Sequence, residues 1–155
     1  MERLLYTGSL WNDLQPMGRK RRKVTGACLC GRVQFTVKLP VKWCAHCHCT
    51  RCQRSHGAGF VTWFGVNEEH FTLEKGEKLL RWVSSSKNSE YGFCNRCGSS
   101  MLFRSTKWVD EIHVTLANVT EDIGLEPQVH VYFDTHVDWL NFDDELERHV
   151  DPDVK

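Results

Sequence analysis

The sequence predicts an all-β, mainly antiparallel fold organised around bound metal, and three observations lead there. Residues 32–39, "RVQFTVKL", alternate Val33, Phe35, Val37 and Leu39 with Arg32, Gln34, Thr36 and Lys38, the two-residue period of a half-buried strand. Further short runs rich in β-branched and aromatic residues follow, while helical periodicity is scarce. Eight cysteines fall in tight clusters with long gaps between them, the spacing of metal ligation rather than of disulfide pairing.

In chain order, residues 1–23 lack a clear period, contain Gly8, Pro16 and Gly18, and read as an N-terminal extension. Its basic end, "GRKRRK" at 18–23, reads as a solvated arm or as a contact for nucleic acid or a protein partner. Strand signals begin at Val24. After residues 32–39 come "FVTWFGV", "HFTLE", "KLLRWVSS", "SMLFRS", "EIHVTLANV" and "QVHVYF", separated by turn signals such as "VNEE", "EKGE" and "SSKNSE". Short helical turns are expected at "TRCQRSH" and at "DDELERH". These signals give one β domain over residues 24–142 and an acidic C-terminal tail over 143–155. Trp63, Trp82 and Trp108 sit in or beside strand runs and are expected to pack the core.

A chain of 155 residues suits one domain that buries roughly 70% of its unfolded surface. Hydrophobic residues at 41% and charged residues at 26% mark it as globular rather than disordered. No apolar run approaches the roughly 18 residues of a membrane span. The basic cluster follows a weak apolar patch, the reverse of a secretory signal, so a cytoplasmic address is expected. Twenty Lys and Arg balance twenty Asp and Glu, so no global field draws the chain to nucleic acid. Phosphate loops, nucleophile elbows and nucleotide fingerprints are absent from the sequence.

Cys28 and Cys30 in "ACLCGR" are two apart in an extended segment, so their side chains share a face. Cys94 and Cys97 in "FCNRCGS" form a C-x-x-C knuckle, with Gly98 placed to take the positive φ such a turn needs. The two pairs together make a four-cysteine set that suits tetrahedral zinc and leaves no open position. Such a site is structural, and can contribute on the order of 10 kcal/mol to stability. A thioredoxin-like redox role for Cys94 and Cys97 would need a βαβ context that the pattern lacks.

"CHCTRC" places Cys47, Cys49 and Cys52 in C-x-C-x-x-C spacing. The segments "GACLCGRVQFTV", "CHCTRCQRSHGAGFVTWF", "KGEKLLRWVSS", "GFCNRCGSSM" and "HVYFDTHVDWL", in that order, resemble the family of glutathione-dependent formaldehyde-activating enzymes, which shares its domain with centromere protein V. The resemblance spans residues 24–142. It implies an Mss4-like zinc-binding β fold with two zinc ions per chain, Cys28, Cys30, Cys94 and Cys97 holding a structural zinc and Cys47, Cys49 and Cys52 a catalytic one. The implied reaction joins a small thiol such as glutathione to formaldehyde, a carbon–sulfur lyase chemistry.

Apart from the family, three thiolates leave an ion one open position, and a thiol that binds there is deprotonated outright. The sulfur could then attack an aldehyde carbon, and the oxyanion formed needs a donor and a proton. Arg51, Arg54, Ser55, His46, His48 and His56 are close candidates in sequence. Cys44 adds a second C-x-x-C with Cys47; it reads as a free or packed thiol, would close the site if it joined the ion, and would serve a redox switch if it paired with Cys47. His46 and His48 flank Cys47 and point away from it in an extended segment, which suits surface or supporting positions rather than ligation. His56 stands where the family pattern has a small residue. His130 and Trp139 belong to the last matching segment and either line a pocket near the second site or pack as ordinary strand residues. The alternative function is a non-catalytic zinc module that binds nucleic acid or protein through the basic N-terminal segment.

Overall fold

The computed structural model describes Leu14, Pro16, Met17 and residues 22–151. Among the described residues eleven strands form two sheets. The small sheet has the order β1-β2-β5, with β1 at Lys23–Ala27, β2 at Gln34–Lys38 and β5 at Phe71–Lys75. The large sheet contains β3 (Trp43–Cys47), β4 (Val61–Asn67), β6 (Leu80–Ser86), β7 (Ser89–Cys94) and β8 (Ser100–Ser105). It is completed by β9 (Glu111–Thr115), β10 (Val129–Val131) and β11 (Glu147–Arg148). Its spatial order is β11-β10-β3-β4-β9-β8-β7-β6. Pairing is antiparallel except where β10 runs parallel to β3 and β11. The protein is therefore all-β and antiparallel-dominated, as its alternating runs predict.

Period-two alternation sorts the residues of the large sheet onto two faces. Cys44, Phe64, Val66, Leu102, Ile112 and Val114 meet Val24, Phe35 and Val37 of the small sheet in the main core. Trp43, Ala45, Cys47, Val61, Trp63 and Tyr91 emerge on the other face and form a second cluster with Val129 and Val131. In the small sheet the ring of Phe35 lies over Gly26, its register partner, where a Cβ would come within 2.2 Å of the ring.

Among the described residues one α-helix, α1 (Thr50–His56), appears where "TRCQRSH" predicts a helical turn. The second expected helical turn does not form: "DDELERH" supplies β11, whose partner is β10. Asp144 is drawn to His130 (Nε2 to Oδ2 3.0 Å), and the His149 N–H donates to the His130 carbonyl at 2.9 Å. Tertiary pairing thus overrides the local helical preference of this acidic segment, which packs on the sheet through Asp151 instead of trailing as a tail. In "GRKRRK", residues 18–21 lie outside the described residues. Arg22 donates to Glu121 at 2.7 Å, and Lys23 opens β1. Trp82 is half-buried, with the Arg104 guanidinium 4.1 Å from its ring centre. No helix among the described residues is long and apolar enough to cross a membrane.

Candidate metal centres

Cys28 and Cys30 directly follow β1 of the small sheet, and Cys94 closes β7 of the large one. Gly31 and Gly98 take φ values of 70° and 78°, the left-handed turns that glycine allows and that fold each cysteine pair back on itself. The four sulfurs of Cys28, Cys30, Cys94 and Cys97 all lie within 4.8 Å of one another. Separations of 3.5 Å for Cys28–Cys30 and 3.9 Å for Cys30–Cys94 fit the roughly 3.8 Å edge of a tetrahedron with ~2.3 Å zinc–sulfur bonds. Burial raises the Cys28 thiol, but the Val33 N–H at 3.3 Å and bonds with Cys30 and Cys94 bring it below its ordinary value. This group could hold a metal ion, and an ion there would join the two sheets.

The second group begins where β3 ends. The His48 N–H donates to the Val131 carbonyl at 3.0 Å, and the His48 carbonyl accepts from Gln53 Nε2 at 2.7 Å and Thr135 Oγ1 at 3.0 Å. These bonds clamp the turn into α1. Cys49 is the N-cap: its Sγ accepts the Cys52 N–H at 3.2 Å, the role an oxygen side chain usually fills. Cys47 and Cys52 approach to 3.6 Å, and all three sulfurs lie within 4.8 Å of one another. The Tyr91 hydroxyl stands 3.2 Å from Cys52 Sγ. Bonds from the thiols of Cys47 and Cys52, aided by the backbone N–H groups of Cys52 and Arg51, hold Cys49 down at about 3. Its bond with Cys49 drives Cys47 well above its ordinary value. Cys52 is lowered by its bond with Cys47, yet the bond with Cys49 and burial outweigh this and raise it to about 12. The cluster therefore gathers negative charge at the helix cap, where a cation would meet it.

Cys44 takes no part. It points into the main core, fully buried, while Cys47 faces the second cluster. Two residues three apart along a strand are ~10 Å apart and on opposite faces, so neither a shared ion nor a disulfide is within reach. The closed four-cysteine version of this site and the Cys44–Cys47 redox switch are both ruled out by that geometry.

The second group lines a cavity of about 490 Å³. Trp63, Tyr91, Phe103, Trp108 and Tyr132 form aromatic walls, Ser85, Ser89 and Ser105 add hydroxyls, and Arg51, Lys107 and Asp151 add charge. Register explains the far end. Trp43 pairs with Gly65, Gly65 with His113, His113 with Phe103, and Phe103 with Tyr91, so one row crosses the sheet on the cavity face. The Trp43 indole lies over Gly65, where a Cβ would stand 2.3 Å from Nε1. Trp43 Nε1 donates to Glu111 at 2.9 Å, His113 Nε2 donates to the same oxygen at 3.0 Å, and Lys42 pairs with the other oxygen. Burial alone would raise Glu111; the bonds from His113, Lys42 and Trp43 overcome it and hold the carboxyl at about 2.

Of the proton-donor candidates read from the sequence, Arg51 alone lines this cavity. Arg54 and Ser55 are exposed, and the Ser55 hydroxyl donates to the Cys52 carbonyl. His56 packs edge-on against Trp63 at 5.3 Å. His46 and His48 do point away from Cys47, but His48 is fully buried rather than at the surface. His48 Nε2 and His130 Nδ1 are 2.7 Å apart, and rings of Phe60, Phe133 and Phe142 surround the pair. Burial and the neighbouring His130 push His46 and His48 down to about 4. Of the two readings of His130 and Trp139, the pocket one fails, since neither lines this cavity: His130 is a buried, hydrogen-bonded histidine of this cluster, and Trp139 is 71% exposed rather than packed in a strand. Sequence reasoning missed Tyr91, Glu111 and His113. Glu111 and His113 carried one signal, an E-x-H pair that strand periodicity places on a single face.

A search of curated proteins finds no match. A solved crystal structure of a Rhodobacter sphaeroides protein matches with a TM-score of 0.56 at 20% identity, covering 80% of this chain and 98% of that one; at that identity the likeness shows the fold. The family model for glutathione-dependent formaldehyde-activating enzyme matches residues 23–135, a stretch that contains both cysteine groups and most of the cavity wall. With that match over most of its length, the chain belongs to the family of glutathione-dependent formaldehyde-activating enzymes.

Proposed function

We propose that the protein is a zinc-dependent enzyme of the carbon–sulfur lyase type, acting on adducts of a small aldehyde with a thiol such as glutathione. The observation that carries this reading is the set of Cys47, Cys49 and Cys52 on the wall of a cavity, with Cys44 turned to the opposite face. Cys28, Cys30, Cys94 and Cys97 would hold a structural zinc, and the three-cysteine group a second zinc with one position left for a ligand. That second ion, when bound, would supply a site at which an incoming thiol loses its proton.

The chain's own residues favour the rest of the chemistry. The aromatic walls shield the reacting atoms from water, which strengthens every charge interaction inside. Arg51 and Lys107 on the lining suit the carboxylates of a peptide thiol, and Arg51 also suits the oxyanion formed when sulfur adds to the carbonyl carbon. Addition forms one C–S bond and leaves an alkoxide that takes up the proton the thiol gave; breakdown of the adduct reverses both steps.

The test is metal content with turnover. The zinc-loaded wild type should hold two ions and consume glutathione in an aldehyde-dependent way above the spontaneous rate. Cys49→Ser should keep one ion and lose the activity. Unchanged turnover in that variant, or two tightly held ions in it, defeats the proposal.

A further inference from the structure

Glu111 and His113 stand two apart on β9, so both side chains leave the same face of the large sheet. The Glu111 side chain is 3% exposed, and its carboxylate accepts from Lys42, Trp43 and His113. An ionised carboxylate can only accept, so His113 Nε2 carries a proton. Burial disfavours a second proton on this ring, which leaves a lone pair on Nδ1. The residue is 6% exposed and lines the cavity. Trp43, Trp108 and Phe103 surround its ring at 4.7, 5.1 and 5.3 Å, and among the described residues no group donates to Nδ1. The atom is not among the fully buried unpartnered ones, so on a cavity-lining residue it is an accessible acceptor open to a ligand N–H.

We propose that His113, oriented by Glu111, is a specificity-determining residue whose Nδ1 accepts a hydrogen bond from an N–H group of the thiol ligand, at the end of the cavity away from the cysteines. The assignment rests on the thiol–aldehyde reading of the three-cysteine site. It also sets the ligand's size. Cys47 lies four residues along β3 from Trp43, and His113 is two strands across from Trp43. At ~3.3 Å per residue and ~4.8 Å per strand the two backbones are about 16 Å apart. Side chains that converge into one cavity leave a gap on the order of 10 Å, which an extended peptide spans with about three residues. A thiol of dipeptide or tripeptide length, glutathione among them, spans that gap, whereas a one-carbon or two-carbon thiol bound at the cysteines does not reach His113.

The test uses the zinc-loaded full chain and S-methylglutathione, a thioether that binds without reacting. Calorimetry should show His113→Phe weakening this ligand about tenfold, the loss of one hydrogen bond. In the wild type, with isotope-labelled imidazole nitrogens, the Nδ1 resonance of His113 should move on saturation while Nε2, held by Glu111, stays. Equal affinity in wild type and variant, or an unmoved Nδ1 resonance in the saturated wild type, overturns the proposal. No binding of S-methylglutathione to the wild type overturns this assignment, while the thiol-adduct reading stands or falls separately on aldehyde-dependent glutathione turnover by the same zinc-loaded protein.

Discussion

Cys44 and Cys47, three residues apart in β3, emerge on opposite faces of the large sheet, one in the main core and the other beside Cys52. The division decides the chemistry of the second cysteine group, because it leaves three sulfurs rather than four around one point. Burial pushes the Cys44 thiol up to about 12, which suits a small core residue and not a ligand. Cys44→Ala should leave metal content unchanged and cost about 1–2 kcal/mol for the small cavity left, read by urea denaturation. Loss of a metal ion from that variant would return Cys44 to the site.

The four-cysteine group joins the small sheet to the large one, so its metal should matter to the whole fold. Cys28→Ser, or slow chelation that empties this site, should lower the unfolding midpoint steeply, by an amount approaching the ~10 kcal/mol of a structural zinc. Emptying the three-cysteine group alone should have a much smaller effect, since β3 and α1 are also held by the Gln53 and Thr135 bonds to the His48 carbonyl. Thermal unfolding followed against metal content separates the two.

Tyr91 reaches from β7 to within 3.2 Å of Cys52 Sγ. Groups that bond to a metal's ligands typically change affinity 10-fold to 100-fold when removed. Tyr91→Phe should therefore weaken the second metal site about tenfold in competition with a chelator and leave the first site unchanged. Equal weakening of both would mean that the phenol acts through general stability.

Glu111 makes stability acid-sensitive. Its carboxyl is held at about 2, against an ordinary value of 4.5, so its contribution is complete above about pH 4.5 and is lost as pH falls towards 2. The difference corresponds to roughly 3 kcal/mol. His113, whose charged form is disfavoured by burial, acts with the same sign, losing stability as pH falls below its ordinary range. Glu111→Gln should be about 3 kcal/mol less stable than wild type at neutral pH, and the gap should close on acidification. Because both proteins keep every cysteine, acid release of metal cancels in the comparison. A gap that stays constant to low pH would refute the charge assignment.

Gly65 carries no side chain because Trp43 occupies the space. Gly65→Ala would place a methyl 2.3 Å from the indole Nε1, forcing the ring away and breaking its bond to Glu111. A destabilisation of about 3 kcal/mol is expected, from overpacking of 1–3 kcal/mol with a lost hydrogen bond, together with a changed tryptophan emission. An unperturbed Trp43 would show that the sheet gives way instead.

The sequence by itself determined most of the strands, the short helix and the close cysteine pairs within each group, because these rest on local rules, while β3 and β7 carried no strand signal of their own and the place of Cys44 stayed open. Alternation writes a strand's faces into its residues, and C-x-C and C-x-x-C spacings place sulfurs together within one turn. Only the tertiary structure decided which sheets the first group joins, that "DDELERH" becomes a strand beside Val129–Val131, and that Tyr91 and His113 share a cavity with cysteines at least 39 positions away. The reason is register. Which residue of β9 faces which residue of β4 is set by hydrogen-bond pairing between distant strands and by the fit of Trp43 over Gly65, and no local pattern in the chain encodes that pairing.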